Sequence, residues 1–162
     1  MRVLGIDPGI ASTGFGCIDT ASDQSYRMVD CGVIKTLPKT DTGERLHIIH
    51  NELFHLIKQF TPDVLVVEQL FFNTNQKTAI LVGQARGVIL MTGAKAQVRC
   101  HEFTPIQVKM AVTGYGRADK KQVQEMVRII LNLEKIPKPD DAADALALAL
   151  CYCQNKNFIS RS

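Results

Sequence analysis

Asp141 and Asp144 stand three residues apart in the run Pro139-Asp140-Asp141-Ala142-Ala143-Asp144-Ala145-Leu146-Ala147-Leu148-Ala149-Leu150. Ala and Leu make this a strong helix, and residues three apart share a helix face. Beyond Asp144 the helix is almost wholly apolar and reads as buried. A carboxylate in such a place is costly unless compensated, and a hard cation such as Mg2+ compensates it through oxygen ligands. Asp7 and Glu68 each end a short apolar run. All four acids are candidates for one metal site. Crowded carboxylates repel, and two Mg2+ ions about 4 Å apart would relieve that, activate a water and stabilise the leaving oxygen of a phosphodiester.

Each acid also has a structural reading. Asp7 sits in Asp-Pro-Gly and could form a turn, and Glu68 could face solvent at a strand end. Asp141 could favour the helix dipole, and Asp140 is assigned the N-cap. Asp144 resists such a reading, because it lies a full turn inside an apolar helix.

The elements that must position these acids follow from periodicity. Arg2–Asp7, Gly14–Asp19 and Tyr26–Thr36 read as strands. The first connection is too short for a crossover helix, so the first pair is antiparallel. Gly32 marks a bulge or a close approach. Thr42–Phe60 carries apolar residues at helical spacing, and Asp63–Glu68 is a β-branched run typical of a central strand. If that strand lies parallel beside the first, Asp7 and Glu68 emerge at one sheet edge. A long helix over 76–94, a strand over 97–103, and helices over 105–112 and 120–133 come next. Thr104 is the expected cap of the helix that Pro105 starts. The pattern indicates an α/β fold: a mixed five-stranded sheet, three antiparallel strands and then parallel ones, flanked by helices.

The 162 residues suit one domain, taken as 1–155 with a short C-terminal tail over 156–162. A net charge of +3 admits a nucleic-acid partner without demanding one, so any basic surface that matters is local. Neither a membrane span nor a signal peptide is visible. Five irregularly spaced cysteines without Cys-x-x-Cys read as reduced thiols in a cytoplasmic protein, and zinc is disfavoured. His47 and His50 share a face of their helix but lack the His-Glu-x-x-His arrangement, and are read as ordinary surface histidines.

Gly5-Ile6-Asp7-Pro8-Gly9, Glu68-Gln69, Gly83-Gln84-Ala85-Arg86-Gly87, Gln107-Val108-Lys109 and Asp141-Ala142-Ala143-Asp144-Ala145-Leu146 occur in this order. Together they closely resemble the bacterial RuvC family of Holliday-junction resolvases, from about Arg2 to Cys153. The resemblance implies a ribonuclease H-like fold, a homodimer, and Mg2+- or Mn2+-dependent cutting of four-way DNA junctions in recombination and repair. It implies an acidic tetrad at Asp7, Glu68, Asp141 and Asp144, catalytic lysines at Lys109 and Lys120, and a 3′-hydroxyl leaving group. Phe71 matches an aromatic that the family uses against junction bases, although Phe71-Phe72-Asn73-Thr74-Asn75 differs in detail from relatives. A RuvA–RuvB branch-migration complex is the partner the resemblance implies.

Lys77, Arg86, Lys109, Arg117, Lys120 and Lys121 are candidates for a phosphate-binding surface, against the plain reading of solvated side chains. One of Phe71 and Phe72 could be exposed and stack on an unpaired base. Helix 76–94 is apolar over much of its circumference and could serve both the sheet and a second subunit. Two other functions fit part of the pattern. A nucleotide-binding protein of the actin and sugar-kinase type would need a second domain that this length does not provide. A catalytically silent junction-binding module would have no use for four acids.

Overall fold

The structure, a computed structural model, describes residues 1–21, 25–69 and 76–159. Its strands are β1 (Arg2–Asp7), β2 (Ser12–Thr20), β3 (Tyr26–Lys35), β4 (Val64–Glu68) and β5 (Arg99–Phe103). Its helices are α1 (Thr42–Phe60), α2 (Gln76–Lys95), α3 (Pro105–Thr113), α4 (Lys120–Ile130) and α5 (Asp140–Ile159). The strands form one sheet in the order β3-β2-β1-β4-β5. β1, β2 and β3 pair antiparallel, whereas β4 joins β1 and β5 in parallel. This is the mixed sheet expected from the strand pattern. α5 runs on to Ile159.

Alternation along the strands sorts the two cores. Leu4 and Ile6 of β1 and Leu65 and Val67 of β4 join the core under α1 and α2. Val3 of β1 and Val64 and Val66 of β4 join the core under α3, α4 and α5. With period two, Asp7 and Glu68 therefore fall on the α5 face. Leu4, Ile6 and Leu65 are fully buried, and each such side chain contributes about 1.5–3 kcal/mol through burial.

α5 lies unusually close to the sheet. A Cβ at Gly5 would stand 2.0 Å from the Ala145 carbonyl oxygen, and one at Gly14 2.0 Å from the Asp141 carbonyl oxygen. Only glycine admits the helix backbone there, and the buried Ala142, Ala143, Ala145 and Ala149 keep its lower face slim. The seat of α5 sets how near Asp141 and Asp144 come to Asp7.

Several boundaries move. α4 ends at Ile130, not Leu133, because Asn132 takes a left-handed φ of 51° and the Leu133 amide donates back to the Arg128 carbonyl. β5 starts at Arg99 rather than residue 97, after Gln97 turns at φ 58°. Gly32 is not a bulge; the register shift lies at Cys17/Ile18, and Gly32 instead makes room for the Phe15 ring. Asp140 is not the N-cap of α5 but its first residue, and its carboxylate is engaged with lysines. Thr104 does cap α3, in a full capping box with Gln107.

None of the five cysteines forms a disulfide. His47 meets Asn51 at 3.0 Å and His50 meets Thr92 at 2.7 Å, so both are satisfied locally. No helix among the described residues is long and apolar enough to cross a membrane.

Candidate active site

The β1–β4 register ends at Ile6 opposite Val67, so Asp7 and Glu68 follow at the next step, side by side at the strand ends. Asp7 also pairs in register with Gly14, whose missing side chain admits the backbone of Asp141. Asp144 follows one turn along α5. Asp7, Asp141 and Asp144 bring carboxylate oxygens within 4.8 Å of one another, which no other group of His, Cys, Asp and Glu does among the described residues. Glu68 is not within that distance of all three. It lines a cavity of ≈ 200 Å³ with Asp144, Lys109 and Lys120, and Pro105, Val108 and Val123 form part of its wall.

Burial and mutual repulsion dominate the electrostatics. Burial, then the charges of Glu68, Asp144 and Asp141, push Asp7 from the ordinary 3.8 up to about 8. Burial and the Asp144 charge raise Glu68 against the pull of Lys109 and Lys120. Asp144 is raised mainly by burial, although Lys120 opposes the shift with a 2.9 Å ion pair. Burial works against the charge of Lys120 too, but the hydrogen bond and charge of Asp144 win and raise its pKa. The Ser12 hydroxyl donates to Asp141 at 2.5 Å and fixes one of its oxygens.

One ammonium cannot neutralise this cluster. Half-buried carboxylates, one of them protonated near neutrality without help, form the donor set that suits a hard divalent cation. This has a measurable consequence for stability. The folded pKa of Asp7 lies above its unfolded value, so the folded chain holds the extra proton between about pH 4 and 8. Metal-free protein therefore loses stability as pH rises through that window. Asp7→Asn removes the penalty and raises Tm by about 5 °C at pH 8 while changing it little at pH 4. Thermal unfolding with a chelator present checks this; an identical pH slope in both proteins contradicts it.

The basic residues divide. Lys109, on α3, and Lys120, at the start of α4, line the acidic cavity. Arg117 and Lys121 are exposed nearby, in the loop before α4 and in its first turn. Arg86 is 22% exposed, pairs with Glu102 and does not line the cavity. The side chain of Lys77 lies outside the described residues, as do Phe71 and Phe72.

Sequence reasoning missed several contributors. Ser12 gave no signal, being one hydroxyl at the start of β2. Gly5 and Gly14 lay in strands, where their role emerges only once α5 is docked. Asp119 was legible: it caps α4 in a box with Gln122, and Asp-x-x-Gln before an apolar pattern is a helix start. Lys120 and Lys121 stand in the first turn of α4, where the helix dipole disfavours cations.

The family described as crossover junction endodeoxyribonuclease RuvC matches residues 3–152. A RuvC crossover junction endodeoxyribonuclease of Halothermothrix orenii is 53% identical over 152 residues, covering 94% of this chain and 92% of that protein. One from Alkaliphilus oremlandii is 50% identical, with 98% and 96% covered. The Thermus thermophilus RuvC structure superposes with a TM-score of 0.90 at 36% identity, covering 98% of this chain and 96% of that one. T. thermophilus RuvC in complex with a Holliday junction substrate gives 0.89 at 34% identity and the same coverage. The fold is therefore that of RuvC, ribonuclease H-like.

Proposed function

The chain belongs to the RuvC family of crossover junction endodeoxyribonucleases, and we propose that it resolves four-way DNA junctions by paired symmetric nicks in recombination and repair. The observation that carries this reading is the convergence of Asp7, Asp141 and Asp144 within 4.8 Å beside a cavity lined by Glu68 and two lysines. The proposed ligands are Asp7, Glu68, Asp141 and Asp144, for two Mg2+ per site with Mn2+ able to substitute. Bound there, the cations would supply an activated water and stabilise charge on the phosphate.

The chain's own residues supply the rest. Ser12 orients Asp141. Lys109 and Lys120 line the cavity together with Glu68 and Asp144 and can hold the scissile phosphate, offsetting charge that grows as the P–O3′ bond breaks. Arg117 and Lys121 extend positive charge outward for the DNA backbone. Phe71 is retained as the residue that stacks on a junction base. A synthetic four-way junction tests the function: Mg2+ should yield two symmetric nicks, and linear duplex of the same sequence should survive. Equal cutting of both substrates would defeat the assignment.

Paired nicks need two active sites, and a two-fold dimer provides them. α2 supports one. Ile80 is 62% and Met91 47% exposed, on the helix flank that also carries exposed Gln84 and Gly87. A Cβ at Gly87 would meet nothing within 4 Å, so a partner helix could approach closely. Joint Ile80→Glu and Met91→Glu substitution should give monomers in sedimentation and uncoupled single nicks. A wild-type protein that is itself monomeric at assay concentration contradicts the dimer. Action in the cytoplasm alongside a RuvA–RuvB complex belongs to the same proposal.

A further inference from the structure

Asp140 is adjacent to the proposed metal ligands but has no part in the mechanism above. Its two oxygens are divided between two lysines. Oδ1 takes Lys138 Nζ at 2.8 Å, and Oδ2 faces Lys120 Nζ at 3.6 Å. The same Lys120 ammonium lies 2.9 Å from Asp144. Asp140 and Asp144 are four apart on α5, so they stack on one face and one ammonium can reach both. Lys120 enters from the first residue of α4, which the Asp119–Gln122 capping box fixes in place.

We propose that Asp140 is a positioning residue that tethers Lys120 at the acidic cavity. The ammonium has two anchors, and only Asp144 is a proposed metal ligand. A cation held by Asp144 would repel the Lys120 ammonium from that carboxylate. Without a second anchor, a half-exposed lysine would disperse among solvent rotamers. Asp140 keeps it at the cavity mouth, where a phosphate would arrive. Lys138, by holding the other oxygen, keeps Asp140 turned toward Lys120.

This inference rests on the reading of Lys120 as a phosphate-contacting residue, and the experiment separates the two. Asp140→Asn, Asp140→Glu, Lys120→Met and the Asp140→Asn/Lys120→Met pair are compared on a synthetic junction at single turnover. Asp140→Asn should cut about tenfold slower with junction Kd changed less than about twofold, and Asp140→Glu should recover most of the rate. In the Lys120→Met background, Asp140→Asn should cost less than about twofold, because its effect acts through Lys120. Calorimetry with Mn2+ gives a readout independent of cleavage. Lys120→Met should bind Mn2+ more tightly than wild type, and Asp140→Asn about threefold more weakly, with that weakening gone in the pair. A penalty from Asp140→Asn that persists undiminished in the Lys120→Met background means a general loss of negative charge, and overturns the tether. If Lys120→Met cuts at the wild-type rate, the reading of Lys120 fails first and the tether goes with it.

Discussion

Asp144→Asn is expected to stop junction cleavage while leaving junction binding intact, and Asp7→Asn to do the same. Both residues are half-buried members of the close carboxylate cluster, and the substitution keeps the shape while removing the charge that attracts a cation. Losing several kcal/mol of transition-state charge stabilisation corresponds to a rate loss on the order of 10³-fold. Binding should persist because phosphate attraction comes from the lysines and arginine around the cavity. Binding should even strengthen slightly at low salt, since a negative charge facing DNA has gone. Single-turnover cleavage and a gel-shift titration on one junction read both quantities. Cleavage by either variant within tenfold of wild type would remove that acid from the mechanism.

Gly14→Ala should be as damaging as the loss of an acid, through geometry alone. The added methyl would stand 2.0 Å from the Asp141 carbonyl oxygen and 3.0 Å from its Cβ. Helix backbone cannot yield as a flexible side chain can, so α5 must lift at its N-terminal end. The expected cost is about 3 kcal/mol, a fall in Tm of about 10 °C. Cleavage should drop on the order of 10²-fold even at temperatures where the variant is folded, because Asp141 and Asp144 move away from Asp7 together. Gly5→Ala meets the Ala145 carbonyl oxygen at 2.0 Å and should lower Tm similarly. Unchanged Tm and unchanged cleavage in Gly14→Ala would show that the helix seat is not what positions the acids.

What the sequence disclosed depended on how local the signal was. The β-branched run ending at Glu68 announced a buried strand, and the structure shows the parallel pairing with β1 that the pattern left conditional. Asp144 announced itself as a charge inside an Ala and Leu helix. Those cues made Asp7, Glu68 and Asp144 candidates for one edge, with a turn or a solvent-facing strand end as the other reading of Asp7 and Glu68. The close packing of α5 was not legible, because Gly5 and Gly14 reveal their purpose only against a helix more than a hundred residues away in sequence. Asp140 was misjudged for a related reason. A Ser, Thr or Asp before a helix is a good cap on local grounds, but its actual partners, Lys120 and Lys138, include one brought from another helix. Arg86, a candidate for DNA contact, also meets Glu102 of β5, a pairing that no local pattern announces. Surface charges choose partners through tertiary structure, and periodicity says nothing of that choice.

The most direct test of the account is anomalous diffraction from crystals of the protein grown with Mn2+. The predicted result is density for manganese among Asp7, Asp141 and Asp144, with Glu68 drawn in and Lys120 displaced from Asp144 toward Asp140. An empty cluster at saturating Mn2+, or manganese bound elsewhere while the three carboxylates stay unliganded, would contradict it.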